Sequence, residues 1–387
     1  MCRIAVIRLK LLNFRCYKQL SLDTRGRMVV LSGPNGAGKT NLLEAVSFLV
    51  PGRGMRRARL SEPVRGKMDN FSENDLGYWS VSATIEDRDG HFDVGTGVKP
   101  STNKDYKRIV HIDGDQKQSQ SSLAERISML WLTPDMQRLF TDGASGRRRF
   151  LDRMVFSNDP AHAIRIQEYE KALRNRSRVL SDARREHRLP DSGWLDALET
   201  NMVKYGVAIA AARANLVRRL NPACMMGIGP FPAAGLNLSG SIDCWLSEMP
   251  AVEVEENFNA ELRRRREEDS ILRGASQGPH KTDLKVQHLD HNAPAKQCST
   301  GEQKALLLSI VLANARLQRL DTGFVPILLL DDVAAHLDEI HREALFEELI
   351  ELDVQAWMTG TDPLLFSSVD KFARHFTVAN AAVSQLN

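Results

Sequence analysis

A glycine-rich segment near the N-terminus carries the residue types that hold phosphate groups. Residues 33–40, GPNGAGKT, match the pattern G-x-x-x-x-G-K-[ST] at every defined position. Glycines let backbone N–H groups turn toward phosphate oxygens, and the helix predicted to follow adds the positive end of its dipole. Lys39 is expected to bridge the outer phosphates and Thr40 to ligate Mg²⁺. A glycine-rich turn that merely contains a lysine is the alternative. The predicted cofactor-binding residues of this loop are Gly33, Asn35, Gly36, Gly38, Lys39, Thr40 and Asn41.

Two acidic residues follow an apolar run in the last third of the chain. Residues 327–330, ILLL, predict a strand buried on both faces, and Asp331 and Asp332 stand at its carboxyl end. Ligands collect at this end of strands in open α/β sheets, so Asp331 is assigned to the Mg²⁺ shell with Thr40. Asp332 would orient or activate an attacking water, which makes Asp332 and Lys39 the predicted catalytic residues. Alone, the two acids would fit capping or solvation as well.

A third segment, CSTGEQ at residues 298–303, precedes an apolar helix. Ser299 and Glu302 have the S-x-x-E spacing of a capping box, and taken alone this segment reads as a capped helix. Its position, between the phosphate loop and the acidic strand and close to the latter, favours a second interpretation. An exposed helix N-terminus at this place could cap an anion.

The elements that position these residues can be read from hydrophobic period and turn signals. Residues 7–11 alternate apolar and charged side chains and predict a strand, and residues 28–31 predict another. The pairs Asp89-Gly90 and Asp113-Gly114 predict tight hairpin turns. The first 130 or so residues are therefore expected to mix helix with antiparallel sheet.

The middle of the chain has a helical pattern without strand signals. Residues 159–220 predict a helical arm of two antiparallel helices joined at residues 190–193, followed by a loop at 222–232 and a charged helix at 253–273. We divide the chain into residues 1–155, a head part with the phosphate loop; residues 156–275, a helical arm lobe; and residues 276–387, a second head part with the capped segment and the acidic strand.

Composition bounds the class of protein. The 387 residues are 42% hydrophobic and 26% charged, and they include no apolar run of membrane-spanning length. The N-terminal residues lack a secretory signal, so we expect a cytoplasmic protein with no membrane partner. The cysteines are scattered and predict reduced thiols.

A net charge of +3 does not by itself indicate a nucleic-acid partner. Arginine clusters at 53–59, 147–153 and 184–188 are candidates, and the first two could contact DNA phosphates or form a solvated surface. Aromatic residues do not alternate with them, so contact with a duplex backbone is favoured over stacking on single-stranded bases.

The order of these motifs resembles the ATP-binding-cassette ATPases: a phosphate loop, a long insertion, Ser-x-Gly-x-Gln, an acidic strand and an x-x-L-D turn at residues 335–338. More narrowly, LLNFRCY, GRGMRRARL, RRRFLD, QGPHKTDLKV, CSTGEQKALLLS and LLLDDVAAHLD together resemble the RecF family of bacterial recombination mediators. The resemblance implies an α/β fold, an ABC-type ATPase head with a phosphate-loop α/β sheet and an antiparallel β subdomain, plus a helical arm lobe. Such heads are related to those of SMC and Rad50.

The resemblance also implies a function. Members of the family are ATP-dependent homodimers that bind double-stranded DNA near single-strand gaps, work with RecO and RecR, and assist loading of RecA in gap repair and replication restart. Ser299 and Gly301, with Gln303, would correspond to the signature loop that caps the γ-phosphate of ATP bound to a second protomer. Hydrolysis is expected to be weak and stimulated by DNA.

Several positions depart from the wider cassette pattern or are only suggested by it. Residue 332 is Asp where many cassette enzymes have Glu, which suits slow hydrolysis, and Thr361 stands where a switch histidine is expected. Arg15 is a candidate nucleotide contact or a plain exposed arginine. Gln137 is a candidate for the loop that couples the nucleotide to the helical lobe. Two alternatives stay open: a transporter cassette subunit, which the long arginine-rich insertion fits poorly, and a nucleotide switch that does not hydrolyse ATP.

Overall fold

The protein is described by a computed structural model that covers residues 4–65, 77–100, 106–117 and 119–386. The chain forms two compact units. The head unit comprises Met1–Gln137, Gly229–Phe231 and Val311–Asn387, and the helical unit comprises Arg138–Ile228 and Pro232–Ile310.

The described strands are β1 (Ala5–Phe14), β2 (Tyr17–Asp23), β3 (Met28–Ser32), β4 (Trp79–Asp87), β5 (Gly90–Pro100), β6 (Tyr106–Ile112), β7 (Asp115–Lys117), β8 (Met129–Leu132), β9 (Ala234–Ser239), β10 (Asp283–His288), β11 (Ala293–Pro294), β12 (Ile327–Leu330), β13 (Ala356–Gly360), β14 (Ala373–Ala379) and β15 (Ala382–Gln385). The described α-helices are α1 (Lys39–Ser47), α2 (Ser121–Ala124), α3 (Ala144–Phe156), α4 (Ala161–Arg185), α5 (Ser192–Met226), α6 (Ser241–Glu248), α7 (Ala251–Arg264), α8 (Arg266–Leu272), α9 (Thr300–Thr322) and α10 (Glu339–Glu351).

The head unit contains a largely parallel sheet with the strand order β15-β14-β3-β13-β12-β8. Strands β14, β3, β13, β12 and β8 run parallel, and only the edge pair β14–β15 is antiparallel. The predicted strands at 28–31 and 327–330 are confirmed, and every residue of β3 and β12 is buried. This explains their continuous apolar sequences, because a parallel sheet is covered on both faces.

A second, antiparallel sheet of the head unit has the order β2-β1-β4-β5-β6-β7. Both predicted hairpins are confirmed by pairing of Asp87 with Gly90 and of Ile112 with Asp115. The ring of Trp79 on β4 lies 4.8 Å from that of Phe48, which directly follows α1. The antiparallel sheet therefore fixes the end of the helix that carries the phosphate loop. Together the two sheets confirm the predicted α/β head with an antiparallel β subdomain.

The helical unit contains the predicted pair of long helices, α4 and α5, which pack against each other. Asp191 caps α5 by accepting a 2.9 Å hydrogen bond from the Trp194 backbone N–H. Between the helices, the fully buried Arg176 donates to Glu199 at 2.8 Å and to Asp269 on α8 at 2.7 Å. This buried charge network ties α4, α5 and α8 together.

Two helix boundaries differ from the sequence prediction. The loop predicted at 222–232 is wrong at its start, because α5 continues through Pro222 to Met226. Asn221 exchanges two 2.9 Å hydrogen bonds with the Leu236 backbone on β9, and this contact holds the helix in place beyond the proline. The helix predicted at 253–273 is interrupted at Arg265, between α7 and α8.

Packing also groups the segments differently from the sequence division. Residues 138–155 and 276–310 were assigned to the head by their motifs, but they belong to the helical unit. The reason is that α3 packs on α4, α5 and β10. As a division of function, the three sequence segments stay a prediction.

The cysteines and the hydrophobic helices agree with the composition. Cys16, Cys224, Cys244 and Cys298 are free thiols, while Cys2 lies outside the described residues. Within the described ranges, no helix combines the length and the apolar character needed to cross a bilayer.

Candidate nucleotide site

The predicted site segments of the head unit meet at one edge of the parallel sheet. Because β3, β13, β12 and β8 are parallel, their carboxyl ends lie at the same edge. The phosphate loop follows β3, Thr361 follows β13, Asp331 follows β12, and the 3-10 turn Pro134–Arg138, which contains Gln137, follows β8. Topology therefore brings together residues that are more than 300 positions apart in sequence.

The phosphate loop needs its glycines. Gly33, Gly36 and Gly38 have φ angles of 146°, 78° and 113°, a region that side chains disfavour. A Cβ at Gly33 would collide with the carbonyl oxygen of Val378 on β14, and one at Gly38 would lie 2.7 Å from Tyr17 Oη. The loop is thus wrapped tightly against its neighbours, and its helix, α1, begins at Lys39.

Lys39 lies across the loop that precedes it. Its Nζ donates to the carbonyl oxygens of Gly33 at 2.6 Å and Pro34 at 2.9 Å. Burial lowers the pKa of Lys39, while the charges of Asp332 and Asp331 oppose this shift. The ammonium group is therefore held near both acids that follow β12.

The loop fits an oxyanion. Among the residues that the structure describes, the backbone N–H groups of Gly36, Gly38 and Lys39 have no protein acceptor. Such donors, beside a helix N-terminus and a lysine, are what phosphate oxygens require.

Thr40 and Asp331 are in direct contact. The Thr40 hydroxyl donates to Asp331 Oδ1 at 3.0 Å, and Thr359 Oγ1 on β13 donates to the same oxygen at 2.8 Å. Burial raises the pKa of Asp331, and the hydrogen bonds from Thr359 and Thr40 oppose this rise. A hydroxyl and a carboxylate placed together are hard oxygen ligands that suit Mg²⁺. The two predicted metal ligands are therefore brought to one place.

Asp332 has a strained backbone and an accessible side chain. Its φ of 54° is unusual for a residue other than glycine, and its N–H donates to Thr359 Oγ1 at 2.8 Å. Its Oδ2 lies 3.2 Å from Nε2 of His336, and its side chain is 39% exposed. A water can therefore reach this carboxylate.

Thr359 and His336 were missed by sequence reasoning. Thr359 lies two residues before Thr361 in MTGTDP, and only the pairing of β13 with β12 reveals its contact with both acids. Thr361 itself is exposed and Gln137 is half-buried, and their predicted roles stay predictions.

Arg15 contacts the helix of the phosphate loop. Its Nε and Nη2 donate to the two carboxylate oxygens of Glu44 at 2.9 and 2.7 Å. Glu44 is fully buried and Arg15 is 22% exposed, so Arg15 is not a plain exposed arginine. Arg56 donates to Asn41 Oδ1 at 2.9 Å, and Asn41 contacts Cys16 Sγ at 3.2 Å. These contacts hold α1 in place. Glu44 was not among the residues predicted from the sequence.

The segment at residues 298–303 belongs to the helical unit and begins α9. The predicted capping box is confirmed: the Ser299 N–H donates to Glu302 Oε2 at 2.7 Å, and the Glu302 N–H donates to Ser299 Oγ at 3.3 Å. Ser299 and Gly301 are exposed, and a Cβ at Gly301 would meet nothing within 4 Å. Gln303 is buried and donates to the Cys298 carbonyl oxygen at 2.9 Å. The helix start is therefore accessible, and Gln303 holds the loop before it.

Arg147, a candidate DNA contact, forms several hydrogen bonds within the helical unit. It forms a bidentate pair with Asp283 at 2.7 and 3.1 Å and donates to the carbonyl oxygen of Leu139 at 2.9 Å. Its neighbour Arg148 donates to the Thr282 carbonyl oxygen at 2.8 Å. The Arg147 guanidinium is therefore held by partners within the helical unit, and DNA contact by the cluster at 147–153 stays a prediction. The predicted cluster at 53–59 is exposed at Arg53, Arg56, Arg57 and Arg59.

Comparison with solved structures agrees with the fold. A structure of the recombination mediator protein RecF with ATP, in the RecFOR pathway, has a TM-score of 0.83 at 21% identity, covering 99% of this chain and 98% of that one. An Smc head domain from Pyrococcus furiosus, bound to the C-terminal domain of ScpA, has a TM-score of 0.54 at 14% identity and covers 99% and 96%.

Sequence comparison identifies the family. The sequence model of the RecF/RecN/SMC N-terminal domain matches residues 5–384. The DNA replication and repair protein RecF of Mesorhizobium japonicum is 46% identical over 382 residues, 98% of this chain and 97% of the relative. That of Rhizobium rhizogenes is 43% identical over 385 residues, 99% of each. These matches run through the phosphate loop, the acidic strand and the segment between them, and the chain therefore belongs to the RecF family of DNA replication and repair proteins.

Proposed function

We propose that the carboxyl edge of the parallel sheet binds ATP with Mg²⁺. The observation that carries this proposal is the contact of Thr40 with Asp331 beside a loop whose backbone N–H groups and lysine point to an anion. Lys39 would leave the Gly33 and Pro34 carbonyl oxygens for phosphate oxygens. Thr40 and Asp331 would hold Mg²⁺, which would neutralise phosphate charge when bound. The ATP-bound RecF that shares this fold supports the assignment.

Hydrolysis would depend on Asp332. Its carboxylate is exposed enough to meet a water. It would accept a proton from that water as the oxygen bonds to the γ-phosphorus and the bond to the β–γ bridging oxygen breaks, releasing ADP. Thr359 fixes the Asp332 backbone and His336 contacts its side chain, so the base has a defined position. Because aspartate is one methylene shorter than the glutamate of many cassette enzymes, we expect slow turnover. A switch that binds ATP without hydrolysis is the competing outcome.

The second half of the site would come from another copy of the chain. The accessible N-terminus of α9, a helix of 23 residues, presents Ser299 and Gly301 without neighbours that would block an anion. We propose that it caps the γ-phosphate of ATP held by a partner protomer. Each nucleotide would then join two protomers, so ATP would drive homodimer formation.

The dimer would act as a clamp on DNA. Family membership and the exposed arginines at 53–59 support binding to double-stranded DNA near single-strand gaps, with RecO and RecR as partners in RecA loading. Work on chromosomal DNA would place the protein in the cytoplasm. The transporter cassette alternative is set aside, because the chain matches the RecF family along nearly its whole length.

Sedimentation velocity with no nucleotide, ADP or ATP, each with and without duplex DNA, tests the proposal. We expect monomers without nucleotide and dimers with ATP. Lys39→Ala should stay monomeric under all conditions while keeping the parent's circular dichroism spectrum. ATP-dependent dimers of this variant would contradict a shared nucleotide site.

A further inference from the structure

A cluster of metal-ligand side chains lies beside the segment at 298–303 and has no part in the proposed nucleotide site. His288 ends β10, His291 lies in the turn before β11, and Glu302 is in the first turn of α9. One ligand atom from each lies within 4.8 Å of the others. All three residues belong to the helical unit.

The chemistry of the cluster suits a cation. His291 Nε2 lies 3.4 Å from Glu302 Oε1, and the two imidazole rings are 4.3 Å apart between centroids. Asp290 adds a second carboxylate 3.9 Å from His288 Nδ1. Imidazole nitrogens and carboxylate oxygens of this kind are ligands that a divalent metal ion binds.

A hydrogen bond already links the two histidines. The His291 backbone N–H donates to His288 Nδ1 at 3.4 Å, and the lone pair of this nitrogen would bind a metal ion in place of that hydrogen bond. His288 is 3% exposed and is held in place by its surroundings. His291 and Glu302 are accessible, with 61% and 38% of their side chains exposed, so they can close on an ion by small rotations. Zinc sites need such a contraction, since Zn–N and Zn–O distances are about 2.0–2.2 Å.

We propose that His288, His291 and Glu302 bind a zinc-like divalent transition-metal ion, which ties the β10–β11 turn to the loop at Ser299. Two imidazoles and a carboxylate are ligands that zinc, cobalt and nickel accept, and a fourth position would stay open to water. Neither the phosphate loop nor the acidic strand contributes to this site.

Glu302 would connect the metal to the helix start. Its Oε2 accepts the Ser299 N–H at 2.7 Å, while its Oε1 faces His291. One carboxylate can therefore cap Ser299 and bind the metal at the same time. Metal binding would restrict motion of the loop that carries Ser299. Its importance for the partner's nucleotide rests on the proposed function, but the metal site itself does not.

Calorimetric titration of the full chain with Zn²⁺, after treatment with a chelator and without nucleotide, tests the site. We expect one Zn²⁺ per chain in the parent. His291→Ala and Glu302→Gln, in which Gln can still cap Ser299, should each bind roughly tenfold more weakly or worse. His187→Ala, which removes an exposed histidine elsewhere in the helical unit, should bind like the parent. No zinc uptake by the parent, or equal uptake by all variants, would overturn the site.

Hydrogen exchange tests the connection to Ser299. Zn²⁺ should slow exchange in peptides that span residues 293–303 of the parent but not of His291→Ala. Equal rates with and without Zn²⁺ in the parent would refute the connection between the metal and the Ser299 loop.

Sedimentation with ATP distinguishes the metal site from the proposed function. Zinc binding without ATP-driven dimers would leave this site standing and reject the proposed function, and dimers without zinc binding would do the reverse.

Discussion

Nε2 of His336 lies 3.2 Å from Oδ2 of Asp332. The two residues are joined by the short 3-10 turn Ala334–His336, and the Asp332 backbone is fixed separately by its 2.8 Å hydrogen bond to Thr359 Oγ1. The strand and Thr359 thus fix the backbone of Asp332, while the imidazole fixes the direction of its carboxylate.

The contact predicts that His336 positions the base. His336→Ala should lower single-turnover ATP hydrolysis by about tenfold, less than loss of the base itself would. Nucleotide affinity should be unchanged, because the phosphate loop is untouched. His336→Gln should recover part of the rate, since its amide can still donate to the carboxylate. Rates for Ala and Gln variants that both equal the parent's would remove His336 from the mechanism.

Asp332→Asn should separate binding from hydrolysis. The substitution keeps the shape but cannot accept the proton, so we expect hydrolysis to fall about a hundredfold or more. ATP binding should persist, and dimers on DNA should live longer because the nucleotide that joins them survives. Hydrolysis is measured by single turnover and dimer lifetime by exchange of labelled chains. A hydrolysis rate equal to the parent's would mean that another group acts as the base.

Mixing two inactive variants tests whether one nucleotide is shared by two chains. Ser299→Arg places a bulky cation where the helix start would approach a partner's phosphate, and Lys39→Ala removes the phosphate-binding lysine. A dimer of either variant with itself would have both composite sites broken, so we expect each variant alone to remain monomeric with ATP. Mixed, they can build one intact site, from Lys39 of one chain and Ser299 of the other.

The mixture should therefore form ATP-dependent heterodimers, with some hydrolysis unless both sites must be filled. Differently labelled chains report the heterodimers by energy transfer. If neither heterodimers nor hydrolysis return, and both variants are folded, Ser299 only caps α9 and the nucleotide site is complete within one chain.

The arginine clusters should respond differently to substitution. Arg53→Ala with Arg59→Ala should make the salt dependence of DNA affinity shallower by about one to two in log–log slope, as expected if each neutralises a phosphate.

Arg147→Ala should instead lower the free energy of unfolding by about 2–4 kcal/mol, because it leaves Asp283 without its bidentate partner. Thermal unfolding measures this loss of stability, and binding titrations across a salt series measure the change in DNA affinity of the Arg53 and Arg59 variant. A parent-like melting temperature for Arg147→Ala would reject its structural role.

His280 predicts that the protein loses stability in mild acid. Burial lowers the pKa of His280 to about 4 from an ordinary 6.5, and the Tyr169 hydroxyl and the Ala275 carbonyl oxygen bind the neutral ring at 2.7 and 2.9 Å. As pH falls from 6.5 toward 4, His280 binds a proton in the unfolded chain but stays neutral in the folded chain. The free energy of unfolding should therefore decrease, by up to about 3 kcal/mol from this group.

Melting temperatures between pH 4.5 and pH 7 check this effect in the parent and in His280→Asn, which does not titrate but keeps an acceptor for Tyr169. The variant should show a shallower decline. Parallel declines in the two proteins would assign the acid sensitivity to other groups.

Local patterns were sufficient to predict the chemistry that depends on neighbours in sequence. The glycines at 33, 36 and 38, the acids after the apolar strand and the Ser299–Glu302 cap are all encoded within a few residues. Their conformations follow from turn, strand-end and capping preferences, which act over that same range.

Residues whose roles depend on strand order or distant partners could not be predicted. Thr359 reaches Asp331 only because β13 is paired with β12, and no periodic pattern encodes that pairing. The ion pair of Arg147 with Asp283 could not be predicted, because the two residues are 136 positions apart in the sequence. Pro222 predicts a helix end, yet the contacts of its neighbour Asn221 override that preference.

The packing of Gly33 against Val378 has a consequence for how the protein is made. Strand β3, which leads into the phosphate loop, lies between β13 and β14, and both of these strands are synthesised long after β3. A nascent chain that carries only its N-terminal half has the GPNGAGKT sequence but lacks β13 and β14, the strands that pack on either side of β3. Long-range pairing of this kind delays folding until its partners exist. The proposed ATP site can therefore form only after β13 and β14 have been synthesised, so ATP would not stabilise a chain that still lacks these strands.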